Sequence, residues 1–95
     1  MSPEERRGKG MFLHLGNDMS IRLKDVVSIH DYGAFQSGDN KVFLESVARE
    51  GRLLCSTEEG QQEKSLVVTK DRVYVSAISS GTLKRRAGFA DLRNE

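Results

Sequence analysis

Met11-Phe12-Leu13-His14-Leu15-Gly16-Asn17-Asp18-Met19-Ser20-Ile21-Arg22-Leu23 decides the fold class. Met19 to Leu23 alternates apolar and polar without a break, the period of a strand with one buried face. Met19, Ile21 and Leu23 share that face, and Ser20 and Arg22 the other. Before it, Phe12-Leu13-His14-Leu15 stops at Gly16-Asn17-Asp18, residues that tolerate positive φ. Two strands about so short a turn predict a hairpin.

Working outward, Val26 to Tyr32 is rich in β-branched residues and predicts a third strand, ended by Gly33. Asp39 or Ser37 is placed to cap a helix from about Asn40 to Glu50, with Gly51 after it. Val42, Phe43 and Val47 form its expected apolar side, with Leu44 and Ala48 open candidates, and Glu45 is spaced to pair with Arg49. Arg52 to Thr57 predicts a short strand, and Glu58 to Glu63 a polar hairpin loop. Lys64 to Thr69 and Val73 to Ser79 predict two strands around a Lys70-Asp71-Arg72 turn. Ser79 or Ser80 then caps a last helix, Gly81 to Leu92, with Leu83, Ala87 and Ala90 on its buried side and Arg86 at the border. The order βββ-α-βββ-α predicts an α+β domain with a small, mainly antiparallel sheet and two helices.

The chain has 95 residues, 37% hydrophobic and 31% charged, which suits one domain. Residues 1–10 read as a disordered leader, 11–92 as the domain and 93–95 as a tail; Met11 is an alternative start. No apolar run exceeds three residues, so neither a membrane span nor a secretory signal is expected, and the cytoplasm is the expected location. Strands with apolar residues on both faces (Val26 and Val27, Leu53 and Leu54, Val67 and Val68) predict a homo-oligomer.

Catalysis finds little support. The lone Cys55 lies beside Leu53-Leu54 and reads as a buried structural thiol. His14 and His30 fall in strands with no positioned nucleophile, and two histidines with one cysteine are too few for a metal site. Neither an enzyme, a cofactor, a metal nor a small-molecule ligand is expected. Gly8-Lys9-Gly10 is too short for a P-loop, and Ser79-Ser80-Gly81-Thr82 reads as capping rather than an anion site.

Charge is more informative. The net value is +1, but residues 42–63 carry −3 and residues 64–86 carry +5. A local basic patch binds phosphates even on a nearly neutral protein. The candidate contacts are Arg22, Lys24, Lys64 and the cluster Lys84-Arg85-Arg86, with Arg49 and Arg52 as further basic residues. No aromatic residue is interleaved with the cluster, which disfavours base stacking.

Four stretches carry a family resemblance: Met11 to Asp18, Leu23 to Asp31, Ser65 to Thr69, and Tyr74 to Arg86. In this order they resemble the RemA/RemB family of small regulators of extracellular-matrix (biofilm) genes. His14-Leu15-Gly16 and Thr82-Leu83-Lys84-Arg85-Arg86 are closer to the RemB branch. The resemblance implies ring-shaped homo-oligomers and, for RemA, binding of double-stranded DNA through arginines repeated around the ring. Lys24 matches one such basic position. Where RemA carries Gly-Arg-Arg, this chain has Gly60-Gln61-Gln62, followed by Glu63. Two functions therefore compete: a DNA-associated regulator of matrix genes, and an oligomeric protein-interaction module with little DNA affinity.

Overall fold

A computed structural model describes residues 12–88. The proposed leader 1–10, the tail 93–95 and the stretch 89–92 lie outside the described residues. Strands β1 (Phe12–Gly16) and β2 (Met19–Arg22) pair antiparallel as the expected hairpin. Asn17 and Asp18 between them have φ of 52° and 69°, the positive values a type I′ turn needs at both central residues. Leu23 leaves the strand in a 3₁₀ turn, Leu23–Asp25, although its side chain stays with the hairpin's apolar face.

Strands β3 (Val26–Asp31), β5 (Ser65–Thr69), β6 (Val73–Ser76) and β4 (Leu53–Cys55) form a second sheet in the spatial order β3-β5-β6-β4. The class is α+β as expected, but the strands divide into two sheets, and β4 runs parallel to β6. The segment from Glu58 to Glu63 is thus not a hairpin loop, because β6 lies between β4 and β5. The reason is burial: Val73 and Val75 are 2% and 3% exposed and suit a central strand, whereas Leu53 and Leu54 are half-buried and suit an edge.

The four-stranded sheet is covered on both faces. Val67 and half-buried Tyr74 join Leu13, Leu15, Ile21, Ile29 and Leu83 under the hairpin and the last helix. Leu66, Val73 and Val75 join Phe35, Leu44 and Val47 under helix α1 (Gly38–Arg49) and a 3₁₀ turn, Tyr32–Phe35. The doubled apolar residues of β5 follow from this sandwich, since successive side chains point to opposite faces. Part of the area attributed to a partner subunit is therefore filled from within the chain: Val67 is buried and Val26, Leu53 and Val68 pack against the two cores, whereas Val27 is 59% exposed.

Helix α1 begins at Gly38 rather than Asn40, and Ser37 stands at its N-cap without a side-chain capping bond. Its buried residues are Leu44 and Val47, one turn apart. Val42 and Phe43, expected inside, are 61% and 42% exposed, because the helix meets the sheet through a narrower stripe. The expected Glu45–Arg49 pair does not form; the ion pairs among the described residues are Arg52–Glu50 at 2.6 Å and Lys70–Asp25 at 3.9 Å. The helix stops in a Schellman motif: Arg52 N–H donates to Val47 O and Gly51 N–H to Ala48 O, with Gly51 at φ 75°. Cys55 is exposed, not buried, because β4 is an edge strand. Helix α2 (Ser80–Ala87) ends earlier than expected, where Gly88 takes a left-handed φ of 87°.

Candidate functional site

Each predicted basic residue can be placed from the strand pairing. Arg22 ends β2 and Lys24 lies in the 3₁₀ turn after it, both exposed. Val26 pairs with Thr69 and Asp31 with Ser65, so Lys24 shares one end of the main sheet with the turn after β5. Lys64 precedes β5 at the opposite end, where its N–H donates to Ser76 O and its carbonyl accepts from Tyr32 N–H. About six residue steps of extended chain, roughly 20 Å, separate Lys64 from Lys70. Lys84, Arg85 and Arg86 occupy the last turn of α2, where cations complement the helix dipole. Arg85 and Arg86 are exposed and Lys84 is half-buried, so Lys84, not Arg86, is the border residue. Ala90 lies outside the described residues.

The structure does not merge these residues into one surface. It brings Arg22 together with Lys70 and Arg72 of the β5–β6 turn, which the sequence marked only as a turn. The three line an open cleft of about 310 Å³ with Asp25, Asp71 and Tyr74. Lys70 N–H donates to Asp25 O at 3.2 Å, joining the turn to the segment that carries Lys24. Two cations in a three-residue turn were the available signal, but their neighbour depends on β3–β5 pairing, which local pattern does not encode.

The start of α2 is capped from within. Ser79 Oγ accepts from Thr82 N–H at 3.2 Å, and the Ser80 hydroxyl donates to the Asp31 carboxylate. A protein carboxylate thus stands where a bound anion was considered. His30 Nε2 lies 2.8 Å from Ser28 Oγ, and its ring meets Phe35 edge-on at 5.2 Å, the local satisfaction expected of a strand histidine. Among the described residues no three His, Cys, Asp or Glu side chains gather as a metal site would require, and no helix is long and apolar enough to cross a membrane.

The segment Gly60-Gln61-Gln62 also has a structural role. The Gln61 side-chain oxygen accepts from Asn17 Nδ2 at 2.7 Å and from Glu58 N–H at 2.8 Å. Gln61 therefore holds its loop against the hairpin turn.

The family model described as RemA-like, extracellular matrix regulatory protein A-like, matches residues 12–87. The chain belongs to the RemA-like family. Extracellular matrix regulatory protein B of Bacillus subtilis (strain 168) is 37% identical over 79 residues, which span 83% of this chain and 93% of that relative. The similarity to extracellular matrix regulatory protein B agrees with the RemB-like features at both ends of the domain.

Proposed function

We propose that this RemA-like chain is a cytoplasmic, non-enzymatic regulator of extracellular-matrix gene expression that binds double-stranded DNA as a homo-oligomeric ring. Family membership is the observation that carries the proposal, since both matched descriptions are of extracellular matrix regulatory proteins. Arg22, Lys24, Lys64, Arg85 and Arg86 are exposed and free to meet phosphates, with Lys84 at the border. Phosphate contacts position a protein on DNA without reading sequence, and a ring repeats weak contacts at high effective concentration. Phe12, Val27, Val42 and Phe43, all large, apolar and exposed, are the surface available to subunit contacts.

One observation favours the second reading, an oligomeric protein-interaction module. Gln61 is occupied in bonding Asn17 and Glu58, and Glu63 beside it brings negative charge where the RemA resemblance implies arginines. A gel-shift series at low and moderate salt separates the two. Retardation that weakens with salt supports the regulator; no retardation at low salt leaves the interaction module in front.

A further inference from the structure

We propose that the cleft between β2 and the β5–β6 turn is a phosphate-binding site in which Arg22 and Arg72 hold the anion. Its volume, about 310 Å³, lies at the small end of ligand sites. Of the charged groups that line it, Lys70 and Asp25 already face each other, 3.9 Å apart. Arg22 and Arg72 form no ion pair among the described residues, and with Lys70 they outnumber the lining carboxylates of Asp25 and Asp71, which leaves the concavity a net positive charge.

The backbone beneath Arg72 is fixed. Its N–H donates to Thr69 Oγ1 at 3.0 Å, and its carbonyl accepts from both the N–H and the hydroxyl of Thr69. The turn is held from outside as well, because Arg52 Nη1 donates to Asp71 O at 2.9 Å. Arg22 is set across from it by pairing with Phe12 in the hairpin. Guanidinium forks match phosphate oxygens in geometry, and a phosphate monoester carries about −1.5 to −2 charges near neutrality, enough to satisfy two of them. Tyr74 adds an aromatic wall, half-buried against the hairpin-side core.

The site deepens the nucleic-acid reading and rests on it only for the source of the phosphate. A duplex backbone and a small free phosphate ester present the same chemistry, and the test separates them. The full chain is titrated calorimetrically with inorganic phosphate, adenosine monophosphate and a short DNA duplex, with chloride holding ionic strength constant. Saturable phosphate binding is expected, weakened about tenfold or more in the double variant R22A/R72A. Asp71→Asn removes a lining carboxylate and should tighten phosphate binding severalfold, so the proposal stays testable if the double variant folds poorly. Competition between phosphate and duplex identifies the DNA backbone as the source. Phosphate binding that needs both arginines, with no duplex binding, supports the site for a small ester and removes the DNA-binding function. No phosphate binding, or equal binding by wild type, R22A/R72A and D71N, overturns the site even if the duplex binds elsewhere.

Discussion

Asn17 Nδ2 donates to Gln61 Oε1 at 2.7 Å, across 44 residues of sequence, and lies 2.6 Å from Ser56 O. One side chain thus ties the hairpin turn to the loop that leaves the edge strand. The same residue sits at φ 52°, a conformation asparagine tolerates better than most L residues.

Removing this tie should cost measurable stability. Gln61→Ala deletes two exposed bonds, from Asn17 and from Glu58 N–H, and should cost about 0.5–1 kcal/mol. Asn17→Ala loses both bonds and adds strain at positive φ, for about 2 kcal/mol in total, whereas Asn17→Gly loses only the bonds. Urea unfolding at one fixed protein concentration, completed as a double-mutant cycle, checks whether the two sites couple.

A second polar tie is buried. Ser76 Oγ donates to Leu15 O at 2.7 Å and accepts from Ile78 N–H at 3.0 Å, while the Ser56 hydroxyl lies 3.1 Å from the same Leu15 oxygen. Ser76→Ala should destabilise by about 1–3 kcal/mol, because Ile78 N–H loses its partner. Combining it with Ser56→Ala should cost more than the two singles together, since Leu15 O is then left with neither hydroxyl. Thermal unfolding of the three variants measures the excess.

Arg85 and Arg86 are the cleanest probe of the basic helix end, since both are exposed while Lys84 is half-buried. R85A/R86A should change stability by no more than about 0.5 kcal/mol. If both arginines meet phosphates, the slope of log affinity against log salt should flatten by roughly 1.8 for each subunit that touches the duplex, at about 0.9 per contact, alike for all duplex sequences. Anisotropy titrations at several salt concentrations give the slope; an unchanged slope marks the cluster as a solvated helix end.

Exposed apolar residues carry the assembly prediction. Val27 and Val42 are 59% and 61% exposed, so lysine at either position should leave the subunit folded. Light scattering on V27K and V42K should show the mass falling towards the single chain in at least one. An oligomer undisturbed in both would place the subunit contact elsewhere, and wild type at monomer mass would remove the ring.

The parts of this fold that local pattern encodes were legible. Alternation from Met19 to Leu23 and the Gly16-Asn17-Asp18 cluster marked the hairpin, and Gly51 marked the end of α1. What depends on distant pairing was not. Nothing near Leu53 says that it lies parallel to Val73, and without that pairing Cys55 looks buried and residues 58–63 look like a hairpin loop. Val67-Val68 was legible as apolar on both faces, but only the sandwich shows that the chain itself packs against both. The candidate site divides the same way. Arg22 and Lys24 were found by charge, whereas Lys70 and Arg72 needed the Val26–Thr69 pairing to become their neighbours.

The salt dependence of duplex affinity for wild type and R22A/K24A tests DNA binding by the assembled protein most directly. Both residues are exposed, so the variant should fold as wild type does. Wild type should bind at low salt with an affinity that falls steeply as salt rises. In R22A/K24A, affinity drops at every salt concentration and the slope flattens, because a ring loses these contacts in every subunit. Wild type that binds no duplex at low salt, or a variant with the same affinity and slope, would contradict it.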